Sequence, residues 1–486
     1  MAKGAIWMVM FKLVQRVIGF ASTLILARLL VPADFGLIAM AMSIFAILEI
    51  MSAFSFDLAL IQNQHAERRH YDTVWTFNVL FGLLNATLMI VLAVPAAAFF
   101  SEPRVEWIMY SLALCALISG FDNIGVVAFQ KDLELHKDFY FGVAKKLTTF
   151  VVTVGLAYLW RDYWALIVGM VTGRVVGLCM SYWVHPYRPR FSLAAASELF
   201  HFSKWMLINN ILIYINNSGI NSVIGKVFGV HALGTYTMAY EISNLPTTEL
   251  VWPISRAVFP GYSMLAGDVA KLRRSFLQVI SVVALLTVPA GIGIGLVAES
   301  LVRVLLGEKW MDAVSMIQVL AVFGVVRTLL GPPGSIYVAV GKPQLVAYLQ
   351  ILQITVGIIM LFWLVGDYGI VGVPWAILIA SAVTLPTSYF WLMRQLELPF
   401  YKLIEALWRP LIATVLMSAP ILGLQFWWPI SSGIGHDIMR LITLVVVGIV
   451  IYSISLLVLW LLARRPASAE TDILNLLKRR FFFRRI

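Results

Sequence analysis

The sequence predicts an all-α polytopic membrane protein with about fourteen transmembrane helices. Three observations carry this. First, 61% of the 486 residues are apolar and only 13% are charged, where soluble domains carry roughly 25% charged residues. With a mean hydropathy of +0.88, the chain has too little polar surface to cover itself in water. Second, apolar runs recur along the whole length, each near the ~20 residues that cross a bilayer as a helix. Third, the basic residues between the runs alternate in number, as the positive-inside rule requires.

The runs lie at about 5–30, 35–61, 75–100, 105–130, 139–160, 163–185, 199–225, 232–260, 275–298, 311–340, 344–366, 369–394, 408–428 and 438–462. In lipid each backbone amide must bond within its own segment, so all fourteen read as helices. The alternation expected of barrel strands is absent. With the N-terminus inside, 23 basic residues fall on the inner side, Lys145 and Lys146 among them, and 7 on the outer side. This bias puts both termini in the cytoplasm. No cleavable signal peptide is expected, because the first run is long enough to span. Cys115 and Cys179 both sit inside apolar runs, so neither a disulfide framework nor a cysteine metal site is expected. The net charge of +11 reads as a cytoplasmic face meeting anionic lipid, not as a nucleic-acid surface.

The chain resembles itself at an offset near 200. Residues 28–41 align with 226–239, matching Gly36 with Gly234, Met40 with Met238 and Ala41 with Ala239, and Asp162-Tyr163 aligns with Asp367-Tyr368. Two six-helix lobes in parallel repeat follow, 1–190 and 191–398, joined by a linker around 185–197. Spans 13 and 14 (399–462) are an addition, and the basic tail 463–486 is expected to anchor at the interface.

Charges within spans are costly and point to a site or a cavity. Eleven ionisable residues fall there, and eight lie on spans 1, 2, 7 and 8: Lys12, Arg16, Glu49, Asp57, Lys204, Glu241, Glu249 and Arg256. The others are Asp122, Arg174 and Arg327; Asp122 and Arg327 occupy equivalent repeat positions. Span 7 adds Asn209, Asn210, Asn216, Asn217 and Asn221, a polar stripe suited either to lining a cavity or to bonding between helices. No Walker loop, metalloprotease helix or nucleophile elbow is present. Neither an enzyme nor a bound cofactor or metal is therefore expected, and energy must come from an ion gradient, the membrane potential or the substrate gradient.

Leu26-Ala27-Arg28-Leu29-Leu30 with Phe35-Gly36-Leu37, Ala59-Leu60-Ile61-Gln62, Gln130-Lys131-Asp132-Leu133, Ala239-Tyr240 with Pro246, Arg256 and Phe259-Pro260, and Gly307-Glu308-Lys309-Trp310 ahead of Arg327 form a further pattern. On these pieces the chain resembles the Wzx-type polysaccharide flippases of the multidrug/oligosaccharidyl-lipid/polysaccharide exporter superfamily, in the colanic-acid-exporter-like branch. The resemblance implies a multi-pass protein of the bacterial inner membrane. It also implies a substrate, an undecaprenyl-diphosphate-linked oligosaccharide moved to the periplasmic leaflet for exopolysaccharide or lipopolysaccharide synthesis, beside other polysaccharide assembly proteins.

A diphosphate wants Arg or Lys, for which Arg16 and Arg256 are the candidates, with Lys12 and Lys204 raising the local potential. A glycan wants amides and aromatic faces, which Asn209, Asn216, Asn217, Tyr214 and Tyr240 offer. Glu49, Glu241 and Glu249 are the candidates for coupling to H⁺ or Na⁺. Two rivals stand beside this reading. An organic-cation antiporter of the same superfamily would want an acidic cavity, and a glycan polymerase or ligase would need a sizeable periplasmic loop, which is missing.

Overall fold

The computed structural model describes residues 2–51, 60, 66–131, 134–246, 258, 261–428, 433–463 and 471, without the side chains of 2–6, 8, 9, 49–51, 198–218 and 246. Among these residues every regular element is a helix, with no strand. The helices are α1 Ala2–Leu29, α2 Pro32–Met51, α3 Arg68–Phe100, α4 Arg104–Gly120, α5 Leu135–Trp160, α6 Trp164–Val184 and α7 Ala196–Pro246. They continue with α8 Val269–Leu305, α9 Ala313–Ala339, α10 Pro343–Tyr368, α11 Gly372–Leu396, α12 Phe400–Trp427 and α13 Ile434–Leu462. In its described residues every apolar run lies on one of them, apart from the second half of span 4. Spans 7 and 8 share α7, which breaks at Gly229 (φ 80°, ψ −175°), a left-handed conformation that favours glycine. Nine described stretches are long and apolar enough to cross a membrane, and one of them, 343–396, is the pair α10 and α11.

The chain divides into two compact units, Met1–Thr237 and Met238–Ile486. In the first, α1 packs on α5 through Trp7 and Phe139, whose rings meet edge-on at 5.1 Å. The turn into α2 is closed by Asp34, whose carboxylate accepts from the Val31 amide at 3.0 Å, and Pro32 opens the helix where no amide is needed. Span 4 differs from expectation. The run 105–130 is broken, and α4 ends at Gly120 with a 68° bend into the turns 124–131. Asn123 is the reason. Its Oδ1 accepts from the Gly125 amide at 2.9 Å, and its Nδ2 donates to the carbonyls of Tyr187, His185 and Ser181 at 2.8, 3.3 and 3.4 Å. The side chain thus caps the turn after the break through the Gly125 amide and ties the bend to the end of α6 and the segment after it.

Asn123 thereby fastens the linker 185–195. The same segment is held on α3 by buried Asp72, which accepts from the Tyr187 hydroxyl at 2.6 Å and from the Arg190 amide at 2.8 Å. The Ser192 and Ala195 amides donate to Thr76 and Thr73. Burial and the Asp72 carboxylate push the Tyr187 phenol above its ordinary value.

Two further crossings in this unit are set by glycine. A Cβ on Gly36 would collide with the Val230 carbonyl oxygen, and one on Gly234 with that of Pro32. The contact is reciprocal at the repeat offset of 198, so equivalent backbone segments of the two repeats touch each other. On α6, Gly169, Gly173 and Gly177 recur every four residues. They face Thr153, Thr149 and Lys145, which recur every four on α5. Small residues at this spacing let helix backbones approach in lipid, where burial of apolar surface gives no drive to pack.

In the second unit Tyr262, Phe276, Tyr337, Tyr389 and Leu392 centre the core. The added helices α12 and α13 dock on α8, where Gln425 donates to the Leu296 carbonyl at 2.7 Å, Tyr452 to Leu285 at 2.8 Å and Arg440 to the Ser300 hydroxyl at 3.0 Å. Trp183, Phe362, Trp363, Phe426 and Trp427 are all more than three-quarters exposed. Such surface is normal against lipid and rare against water. Cys115 and Cys179 are unbridged.

Gly36→Ala and Gly234→Ala should each destabilise the protein by about 1–3 kcal/mol, because the added methyl meets backbone. The double variant should lose less than the sum, since both changes act on one contact. Thermal unfolding in detergent reads all three. Tyr187→Phe should cost about 1–3 kcal/mol at neutral pH by leaving the Asp72 carboxylate short of a donor. The phenol is raised in the folded state, so its contribution is whole below its ordinary value of about 10 and fades only as pH climbs past it. Unfolding from pH 7 to 11 should therefore show wild type and variant converging at the alkaline end.

Candidate functional site

Within the first unit, α1, α2, α4, α5 and α6 enclose a cavity of about 450 Å³. Its ionisable lining is Lys145 and Lys146 on α5, Arg174 on α6 and Asp138 near the start of α5. Phe11 and Gln15 of α1, Phe45 of α2 and Phe141 of α5 supply aromatic and amide surface. Three cations therefore face one carboxylate inside a bundle of membrane helices. An ion at mid-bilayer costs about 2.5 kcal/mol or more, so this concentration of like charge asks for an anion.

The ladder between α5 and α6 sets the geometry. At its outer rungs threonine lies over glycine. At the inner rung the Lys145 ammonium lies over Gly177, 2.8 Å from where a Cβ would stand. Glycine thus gives the lysine room to lie along α6, and Arg174 is one residue from Gly173 on the same helix. Lys145 also feels Asp122, beside the α4 bend. At the cavity's α5 start, Asp138 accepts from the Gln130 amide at 3.2 Å and feels Lys12 across from it.

Some residues expected from sequence are near this site. Lys12 is exposed and Arg16 half-buried on α1, next to the lining residues Phe11 and Gln15 but not themselves in the lining. Tyr240 and Glu241 lie in the second unit. There the Arg327 guanidinium donates to the Tyr240 hydroxyl at 2.6 Å, and Glu241 is exposed. The Tyr240–Arg327 bond gives Arg327 a neutral partner within its own unit. The side chains of Glu49, Lys204, Asn209, Tyr214, Asn216 and Asn217, and residues Asp57, Glu249 and Arg256, lie outside the described residues. The expected diphosphate and coupling sets are therefore only partly visible here.

Lys145 and Lys146 correct the sequence reading directly. Counted there with the inner loop, they lie about ten residues inside α5 and line the cavity. The signal was available, since span 5 read as 139–160 already contains them. Arg174 had been noted within span 6 but not joined to them.

A second cavity of about 440 Å³ lies against the first and shares Met42 and Met170 with it. Among the described residues its polar lining is neutral: Ser43, Thr153, Asn221 and Thr237.

Comparison with known proteins agrees with this architecture. Residues 25–315 match the family model described as polysaccharide biosynthesis protein. The lipopolysaccharide biosynthesis protein WzxC of Escherichia coli K12 is 26% identical over 84% of each chain. The succinoglycan biosynthesis transport protein ExoT of Rhizobium meliloti is 24% identical over 93% of this chain and 91% of its own. Among solved structures, an inward closed conformation of the lipid II flippase MurJ superposes with a TM-score of 0.74. It covers 93% of this chain and 99% of its own at 11% identity, and so shares the fold. With an all-α membrane fold, a repeat whose equivalent glycines touch and a family match over more than half its length, the chain belongs to the polysaccharide biosynthesis protein family of multi-pass membrane proteins.

Proposed function

We infer that this protein is a flippase that moves an undecaprenyl-diphosphate-linked oligosaccharide from the cytoplasmic to the periplasmic leaflet of a bacterial inner membrane by alternating access, for exopolysaccharide or lipopolysaccharide synthesis. Both termini are cytoplasmic in this reading. The observation that carries it is the cationic cavity of Lys145, Lys146 and Arg174 among membrane helices. A diphosphate is a compact anion with many acceptor oxygens, and Lys and Arg are the side chains that match it. The polyprenyl tail stays in lipid, so only the head group has to be desolvated. Arg16 and Arg256, with Lys12 and Lys204 to raise the local potential, are the further diphosphate contacts that the sequence suggests. The relatives named for lipopolysaccharide and succinoglycan synthesis support the substrate class. An organic-cation antiporter fits less well, because three cations would repel its substrate.

Energy coupling rests on a carboxylate in the span region. Glu49 and Glu241, with Glu249 as a further candidate, exchange H⁺ or Na⁺ in alternation with substrate. Each costs less in a low-dielectric surrounding when protonated or paired, so occupancy biases which side is open. The diphosphate also brings negative charge, and each charge moved across 100 mV involves about 2.3 kcal/mol.

Lys145→Ala and Arg174→Ala should each lower flipping at least about tenfold, the loss of one charge-assisted contact of ~1.5–3 kcal/mol, with near-normal abundance in the membrane. A leaflet-resolved assay of lipid-linked glycan in proteoliposomes measures this, and wild-type rates in both variants would remove the cavity from the mechanism. In the same vesicles an imposed pH or Na⁺ gradient should change the wild-type rate, and Glu49→Gln or Glu241→Gln should abolish that response. A wild-type rate indifferent to both gradients would reject coupling.

A further inference from the structure

We propose that the second cavity, bounded by α2, α5, α6 and α7, is a subsite for a neutral pyranose, the sugar attached directly to the diphosphate. The proposal rests on the flippase reading above and deepens it. Met42 and Met170 line both cavities, so a ligand whose diphosphate sits among Lys145, Lys146 and Arg174 has its next group at the entrance to the second.

The chemistry of the lining selects that group. Among the described residues no charged side chain lines the second cavity, so a uronic acid carried there would be desolvated without a counter-charge from them. The hydroxyl proton of Thr237 is already used, on the carbonyl of Leu233 at 2.8 Å. Its oxygen keeps acceptor capacity and lines the cavity, which suits a ligand rich in O–H donors. Asn221 adds both a donor and an acceptor. Phe35, Ile38 and Leu166 supply apolar surface for the C–H face of a sugar ring. The volume of about 440 Å³ lies in the usual range for small-ligand sites, about 300–1,000 Å³. Among the described residues the two compartments thus differ in kind: one is cationic, while the other is neutral and polar.

The test uses the full-length protein in nanodiscs and three probes. They are a short-chain polyprenyl diphosphate, the same lipid diphosphate bearing one neutral hexose, and the same bearing one hexuronic acid. Affinity is read by intrinsic tryptophan fluorescence. The hexose should tighten binding about tenfold over the bare diphosphate, the worth of one to two net hydrogen bonds, and the uronic acid should not. Asn221→Leu and, as a smaller change, Thr237→Val should reduce the hexose advantage while leaving the affinity for bare diphosphate unchanged. Full retention of the hexose advantage in both variants, or an equal gain from the uronic acid, would overturn the subsite. The flippase reading fails separately: bare diphosphate would not bind wild type, or would bind Lys145→Ala and Arg174→Ala equally well, and the subsite would fall with it.

Discussion

Lipid offers no hydrogen bonds, and this constraint shapes every element of the chain. A backbone amide inside the bilayer must find its partner in its own helix or in a side chain placed for it. The described helices are accordingly long, up to 37 residues in α8 for an unbroken one, and the places where they stop are chemically specified. Asp34 covers the amide of Val31, Asn123 at the α4 bend donates to three carbonyls of residues 181–187, and glycine takes the left-handed turn at position 229. Lipid also removes the usual reason for helices to associate, so shape has to supply it. Hence the glycines at the α2–α7 crossing, where backbone meets backbone, and along α6, where they make room for the side chains of α5.

The cationic cavity follows from the same packing. The α5–α6 ladder is one repeating device with two outcomes. Where the α5 residue is threonine, the rung is closed and short. Where it is Lys145, the glycine opposite gives room to a long ammonium-bearing chain. Charge is therefore placed by a packing motif, and its position is as rigid as the helix pair. The neighbouring compartment begins where the lysine rung gives way to Thr153.

Much of the fold was legible in the sequence because hydropathy reports directly on the solvent. The described parts of all fourteen runs are helical apart from the break in span 4, and the weak alignment of Gly36 with Gly234 marked two residues that meet in space. The break in span 4 was hidden because Asp122 and Asn123 are flanked by apolar residues on both sides, and averaging over a run erases two polar positions. Helices α3 and α8 begin earlier than their runs because their first turns carry Arg68, Arg69 and Lys271, which are helical but not apolar. The site was less legible. A lysine near the start of a span reads equally as an inner-loop residue, so Lys145 and Lys146 were absorbed into the charge bias. Only the register of α5 against α6 separates the two readings, and a linear sequence does not state it. Arg16 and Lys12 stood out by depth, yet depth does not say which face of α1 looks into the cavity; Phe11 and Gln15 take that face.

The reciprocal glycine contact also has a temporal side. Gly36 and Gly234 are 198 positions apart, and a ribosome adding about 5–20 residues per second needs roughly 10–40 s to bridge that interval. Throughout it, α2 sits in the membrane with its notch at Gly36 facing lipid or a temporary companion. The early helices can insert one by one, but α2 cannot settle until a segment made much later arrives beside it. Membrane insertion of this chain is thus sequential while its packing is retroactive, and a nascent chain stalled before Gly234 exposes a groove shaped for a helix that has not yet been made.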